Sequence, residues 1–226
     1  MTAQQSRRGG RREGAGRRRA RVNRLDPQHV MREALNSRYP VHVMLRTCDD
    51  VPRLRQRRFY RAMRVVLRRY LYRRDFRIVH ISIQRNHLHL IVEASDAKLL
   101  SRRMQSFAIN AARSINKAAG RRGKVFRFRY RAKQLRTRDY ARNAIAYVLN
   151  NWRRHREDEA FGVDRTAQLD AYSSAISFTG WKGNVRWRVP IGYEPLPVSA
   201  PRTDLLRFAW QWFGLIDPFE TPGPSS

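Results

Sequence analysis

Four side chains in two short segments of this sequence could together hold a metal ion and supply a nucleophile. The first pair, His87 and His89, lies in the segment HLHLIVEA, whose alternation predicts a β-strand. Residues two apart in a strand leave the same face with their Cα atoms about 7 Å apart. Two such imidazoles can share one divalent metal ion, although a surface or core role is commoner for an isolated His-x-His pair.

The second pair, Tyr147 and Asn151, is separated by one turn of a predicted helix and shares one face of it. A tyrosine hydroxyl is a potential nucleophile, and an amide oxygen is a hard metal ligand. Two imidazoles and an amide leave coordination positions for water and a phosphate oxygen, which suits Mg²⁺ or Mn²⁺. The alternative is structural, with Tyr147 packed in the core and Asn151 solvated.

The elements that must position these pairs follow from hydrophobic patterns along residues 41–155. Alternation predicts strands at 41–47, 76–84, 87–94 and 125–135, and helical spacing predicts helices at 52–74, 97–119 and 137–155. The order β-α-β-β-α-β-α is that of an α+β, ferredoxin-like (split βαβ) antiparallel sheet with helices on one face. The last helix is additional to that fold, and it carries Tyr147.

The charge of the chain points to a polyanionic partner. The formal net charge is +30, and residues 1–155 hold 41 of the 48 basic residues but only 9 of the 18 acidic ones. Self-repulsion of this size favours binding to nucleic acid. In the predicted strand 125–135, Arg127, Arg129 and Arg131 alternate with aromatic residues, so we expect the arginines to contact phosphates and the aromatic rings to pack in the core.

Composition divides the chain into three parts. Residues 1–25 contain nine arginines and almost nothing apolar, which predicts a disordered basic tail. Residues 26–155 contain the predicted elements, and 156–226 form an extension expected to pack on them, with DNA contact through its aromatics as the alternative. The single cysteine, Cys48, excludes an internal disulfide. No apolar run is long enough to span a bilayer, so we expect a cytoplasmic protein without a membrane partner.

The motifs in their order resemble a known family. The segment NHLHLIVEA, then a helix, an aromatic-basic strand and AIAYVLNNWRRH, resembles the single-tyrosine HUH transposases, and within them the REP-associated tyrosine transposases. The family patterns NH-x-H-L-L and Y-I-x-x-N-P-x-R match here at His87, His89, Tyr147 and Asn151. The resemblance covers about residues 39–155. It departs from the family where Trp152 replaces the proline and where the aromatic-basic strand lacks a Trp-Gln start.

This resemblance implies a metal-dependent single-stranded DNA endonuclease and strand transferase that acts on hairpin or repeat DNA. Tyr147 would form a 5′-phosphotyrosine, with Mg²⁺ or Mn²⁺ held by His87, His89 and Asn151. The partner would be single-stranded or hairpin DNA, and either a homodimer or a monomer is compatible with it. Four further residues complete the predicted site: Arg153 and Arg154 as DNA contacts besides the three strand arginines, and Gln84 and Glu93 as groups that orient a ligand imidazole.

Two functions of other classes remain open at this point. The first is a basic ferredoxin-like module that binds nucleic acid without chemistry, which predicts that Tyr147→Phe leaves every activity intact. The second is a metal-dependent nuclease with water as the nucleophile, which predicts cleavage without a covalent adduct.

Overall fold

The computed structural model describes residues 35–159, 169–185, 187 and 191–220. The predicted basic tail, 1–25, therefore lies outside the described residues. The secondary-structure elements of the described residues are β1 (Val41–Arg46), α1 (Arg57–Arg68), β2 (Phe76–Ile83), β3 (His87–Ala94), α2 (Ala97–Ala119), β4 (Arg131–Gln134), α3 (Arg138–Arg154) and the short α4 (Asp204–Arg207).

The sheet has the predicted ferredoxin-like topology. Its strand order is β2-β3-β1-β4, and each neighbouring pair is antiparallel. Helices α1 and α2 cover one face, where Phe59, Met63 and Phe107 share a core with Leu45 and Leu90. The predicted fold class is thus confirmed, and the two central strands are β3 and β1.

Helix α3 covers the opposite face of the sheet. Ile145, Val148 and Leu149 pack there with Val79 of β2 and Ile91 of β3. The helix begins as predicted, since the Thr137 side chain accepts a hydrogen bond from the Tyr140 backbone N–H. Because α3 lies over β3, the tyrosine-bearing helix faces the strand that carries the histidine pair.

The predicted strand 125–135 is correct only for residues 131–134. Met44 of β1 pairs with Arg131, whereas Thr47 forms an isolated bridge with Phe126. Two β1 residues therefore face the four residues 127–130, and this excess interrupts regular pairing. Phe126 and Tyr130 are still buried, as the core interpretation of these aromatics predicted, and β4 forms an outer edge of the sheet.

The described C-terminal extension packs on both sides of the sheet: Leu196 joins the core that α1 and α2 cover, and other parts pack on the α3 side. Trp181, Trp210 and Ile216 belong to the cluster that includes the buried face of α3. Near the end of the described residues, α4 is followed by a 3₁₀ turn at Ala209–Phe213. No helix in the described ranges is long and apolar enough to cross a membrane.

Candidate active site

The two histidines of β3 lie on the face that α3 covers. Leu88 and Leu90 between and beside them point into the opposite core, so His87 and His89 share the other face. Their ring centroids are 4.7 Å apart in an edge-to-face arrangement. The Nδ1 atom of His87 is 2.8 Å from Oδ1 of Asn86, which leaves Nε2 of His87 for another partner.

Helix α3 brings Tyr147 against this histidine pair. The Tyr147 ring lies edge-on to His89, with centroids 5.1 Å apart. Asn151 follows one turn later on the same helix and is fully buried. The strand and the helix therefore place the imidazoles and the phenol side by side, with the amide one helical turn away.

A third histidine, which the sequence analysis missed, completes the arrangement. His42 of β1 has its Nε2 atom 3.0 Å from Nδ1 of His89, and the two rings are stacked with centroids 5.1 Å apart. Its ring also contacts Tyr147 at a centroid distance of 5.8 Å. One hint of this role was present in the sequence, because His42 is a polar residue within the alternating pattern of β1. Its proximity to His89 depends on the register of β1 on β3, in which Met44 pairs with His89.

Three buried polar atoms at this position have no hydrogen-bond partner in the structure. They are Nε2 of His89 and both side-chain polar atoms of Asn151. A buried polar group without a partner costs free energy, so such atoms mark a place where a ligand would bind. An imidazole nitrogen and an amide oxygen are donors that suit a divalent metal ion. Among the described residues no group of three or more His, Cys, Asp or Glu could hold a metal ion.

The comparison with known protein families agrees with the family resemblance of the sequence motifs and covers the elements from β1 to α3. Residues 36–151, just over half of the chain, match the family described as "Transposase IS200 like". The chain belongs to the IS200-like transposase family. The matched region contains His87, His89, Tyr147 and Asn151, and membership supports a DNA-processing function of the transposase type.

This chain is also similar to a solved structure of a REP-associated tyrosine transposase bound to a REP hairpin. The two chains are 16% identical, the alignment covers 57% of this chain and 74% of the other, and the TM-score is 0.43. A likeness of this size is too weak to support an argument about function. No curated protein sequence matches this chain significantly.

The histidines at the candidate site are held neutral by burial. Burial lowers the pKa of His42 to about 4, with a smaller contribution from the charge of Lys133. Burial also lowers the pKa of His87 to about 4, helped by His155 and Arg46, and takes the pKa of His89 well below its ordinary value. Neutral imidazoles at pH 7 offer the lone pairs that metal binding requires.

Two opposing effects act on the pKa of Tyr147. Burial raises the pKa of Tyr147 above its ordinary value, and the positive charge of Arg154 acts against that increase. The Arg154 side chain is exposed at the end of α3, so it can reach both the phenol and solvent.

Arg153, the other predicted DNA contact on α3, has partners within the chain. Its Nε donates to the Pro218 carbonyl at 3.0 Å, and its guanidinium lies over the rings of Trp152 and Phe219. The structure thus gives Arg153 a role in holding the C-terminal extension on α3. Arg153 also flanks the exposed ring of Phe219.

The two residues expected to orient an imidazole have different surroundings. Glu93 lies about 13 Å along β3 from His89, and its carboxylate accepts hydrogen bonds from the backbone of Arg202 and Thr203. Gln84 lies directly beside the pair, since its backbone N–H donates to the His87 carbonyl. Its Nε2 donates to Ser82 and its Oε1 is buried without a partner.

The three predicted arginines near β4 lie along the edge next to β1. Arg127 is half-buried beside Asp49, whereas Arg129 and Arg131 are exposed. The Arg127 backbone N–H donates to the carbonyl of Arg46, an exposed residue directly opposite His87 in the sheet. This basic edge therefore adjoins the histidine pair. Arg46 is a second residue that the sequence analysis missed.

Proposed function

We propose that this chain is a metal-dependent single-stranded DNA endonuclease and strand transferase with Tyr147 as its nucleophile. The observation that carries the proposal is the contact of the Tyr147 ring with His89, whose Nε2 is buried without a partner. In a family of transposases, a phenol beside a vacant imidazole donor supports cleavage by covalent catalysis. The proposed substrate is hairpin or repeat DNA, as the family resemblance implies.

The proposed metal ligands are His87, His89 and Asn151, and the ion would be Mg²⁺ or Mn²⁺. When bound, the ion would polarise a non-bridging oxygen of the scissile phosphate and orient that phosphate. For Nε2 of His89 to offer its lone pair, the proton of that ring must sit on Nδ1, which donates to Nε2 of His42. His42 then carries its own proton on Nδ1, so it fixes the tautomer of His89.

The proposed reaction exchanges one phosphodiester for another. The Tyr147 oxygen attacks the phosphorus, the bond from phosphorus to the 3′-oxygen breaks, and a 5′-phosphotyrosine forms. The phenol proton is lost as attack proceeds, and the departing 3′-oxygen takes up a proton to become a 3′-OH. Because the phosphoester bond is conserved, attack by a 3′-OH on the phosphotyrosine rejoins the DNA and regenerates the enzyme.

The proposed DNA contacts are the exposed arginines around the site. Arg46, Arg129, Arg131 and Arg154 are exposed, and half-buried Arg127 links the edge to β1. Contacts of this kind release counterions, so affinity should fall steeply as salt increases. The nucleophile and all proposed ligands come from one chain, so this arrangement needs no second subunit, although a homodimer is also compatible with it.

A covalent-trapping assay tests the proposal against its two alternatives. The purified chain is mixed with Mn²⁺ or Mg²⁺ and labelled hairpin DNA, then separated on a denaturing gel. We expect a slow-migrating adduct that is lost in Tyr147→Phe and retained in the control Tyr140→Phe, which removes a phenol oxygen without a hydrogen-bond partner from the same helix. Binding without cleavage would favour the binding module, and cleavage that survives Tyr147→Phe would favour a water nucleophile.

A further inference from the structure

The end of the described C-terminal extension lies along α3 and is held there by backbone hydrogen bonds, by the Glu220 carboxylate and by the buried Ile216 side chain. Arg142 of α3 donates to the carbonyls of Gly214 and Leu215. Asn150, further along the same helix, donates to the carbonyls of Asp217 and Glu220. The segment 212–220 is therefore fixed to the helix by these carbonyls and by the buried side chain of Ile216, which leaves its three aromatic side chains largely exposed.

Those side chains point outward. Trp212, Phe213 and Phe219 are 78%, 54% and 60% exposed, and we call these three residues the aromatic strip. Exposed aromatic side chains grouped in one anchored segment are unusual for a surface that meets only water. The strip therefore needs a partner.

Cationic side chains of α3 flank the strip. The Arg138 guanidinium lies over the Trp212 ring at 5.3 Å, and that of Arg153 lies over the Phe219 ring at 4.8 Å. The acidic groups of the segment are engaged, because Glu220 is bound by Arg142 through both oxygens and Asp217 accepts the Phe219 backbone N–H. Arg138 and Arg153 are 15 residues apart in the helix, which separates them by about 22 Å.

We propose that the aromatic strip is a stacking surface for unpaired bases of single-stranded DNA, with Arg138 and Arg153 beside the phosphates. This inference rests on the proposed function for its class of substrate. Aromatic rings combined with cations bind single strands because every base has a π-face. At about 3.4 Å per stacked nucleotide, the distance between the two arginines spans about six nucleotides.

The position of the strip relates it to the candidate active site. Asn150 and Arg153, which anchor the segment, flank Asn151 in the sequence of α3. A single strand that enters or leaves the site at Tyr147 can therefore continue along the outside of the same helix. A second copy of the chain is a poorer occupant, because each copy has a formal net charge of +30 and the strip is flanked by arginines.

The test compares two single-stranded probes by fluorescence anisotropy at fixed salt. One is a labelled oligothymidylate and the other is an abasic phosphodiester chain of the same length. We expect Trp212→Ala/Phe219→Ala to bind the oligothymidylate about tenfold or more weakly and the abasic chain equally well, since stacking requires bases. Trp212→Phe should retain most of the affinity. Tyr72→Ala, which removes a 93% exposed aromatic outside the strip, should bind both probes as the parent does.

Three results would overturn the inference. The double variant could bind both probes as tightly as the parent. It could also lose affinity equally for both probes, which would mean that the strip only positions the arginines and does not stack on bases. A lower mass in sedimentation with unchanged DNA affinity would assign the strip to contact between copies. Binding of oligothymidylate requires no cleavage, so this result is independent of whether a covalent adduct forms with hairpin DNA.

Discussion

The Nε2 atom of His42 lies 3.0 Å from Nδ1 of His89, and both imidazoles are held between the sheet and α3. A histidine that binds a metal through one ring nitrogen usually donates from the other to a carboxylate, carbonyl or water. Here the acceptor is a second imidazole, and its low pKa keeps the accepting lone pair available at pH 7. His42 can therefore hold His89 in the tautomer and orientation that metal binding needs.

Removing this hydrogen bond should weaken metal binding. We expect His42→Ala to reduce Mn²⁺ affinity about 10- to 100-fold, because loss of such a partner has this effect in other metal sites. His42→Gln should recover part of the affinity through its amide oxygen. Isothermal titration calorimetry with Mn²⁺ measures both. The control is His80→Gln, which replaces a buried histidine next to Phe178. If His42→Ala binds Mn²⁺ as tightly as this control, His42 does not orient His89 for metal binding.

Replacement of the adjacent residues Asn150 and Asn151 of α3 should have opposite effects on stability and on metal binding. Asn151 has no hydrogen-bond partner, so Asn151→Ala should change the free energy of unfolding little and abolish most Mn²⁺ binding. Asn150 donates two hydrogen bonds to the C-terminal segment, so Asn150→Ala should destabilise by about 1 to 3 kcal/mol and leave Mn²⁺ affinity intact. Urea denaturation and calorimetry on the two variants check both halves. The reverse pattern would remove Asn151 from the proposed ligands.

Most of the fold could be predicted from the sequence because its strands and helices alternate with clear periodicity. Helix 97–119 and strand 87–94 have the predicted bounds. Helix α1 begins at Arg57, later than predicted, and the preceding chain is bound to the turn between β2 and β3, where the Leu54 N–H donates to the Arg85 carbonyl. The irregular run 127–130 could not be predicted, since it depends on how many residues of β1 lie opposite.

The site was partly predictable for a related reason. His87 and His89 are neighbours in one strand, and Tyr147 and Asn151 are neighbours in one helix, so local periodicity relates the members of each pair. His42 and Arg46 join the site only through the register of β1 on β3, which single-sequence patterns do not encode. Glu93 was expected from the sequence to orient an imidazole. Its partners in the structure come from residues 202–203, a contact between distant parts of the chain that local patterns do not encode.

The buried ion pair between Arg55 and Asp170 should couple the C-terminal extension to the turn before His87. Arg55 donates to both oxygens of Asp170 and to the Ile83 carbonyl, and the Asp170 side chain is fully buried. Asp170→Asn should destabilise by about 3 kcal/mol, because it leaves the guanidinium without its nearest counter-charge. Arg55→Met/Asp170→Asn should be less destabilised than the sum of the two single variants. Additive losses in urea denaturation would show that the pair does not act as a unit.

His80 should make the stability of the fold depend on pH. Burial lowers its pKa to about 4, so the unfolded chain binds a proton between pH 6.5 and pH 4 that the folded chain does not. The contribution of neutral His80 to the free energy of unfolding is complete above pH 6.5. It decreases by on the order of 3 kcal/mol as the pH falls towards 4. Its neighbours are Phe178 and the Ser174 hydroxyl. The free energy of unfolding should therefore fall less steeply with acidification in His80→Gln, and equal slopes would contradict this assignment.

The central claim is that Tyr147 becomes covalently linked to DNA, and peptide mapping of the trapped adduct tests it most directly. Trypsin releases residues 143–153, a peptide in which Tyr147 is the only hydroxyl-, thiol- or amine-bearing side chain. After nuclease treatment, mass spectrometry should find this peptide carrying a nucleotide attached through its 5′-phosphate. An adduct on any other peptide, or DNA cleavage with this peptide unmodified under every metal and hairpin condition that supports cleavage, would contradict the account.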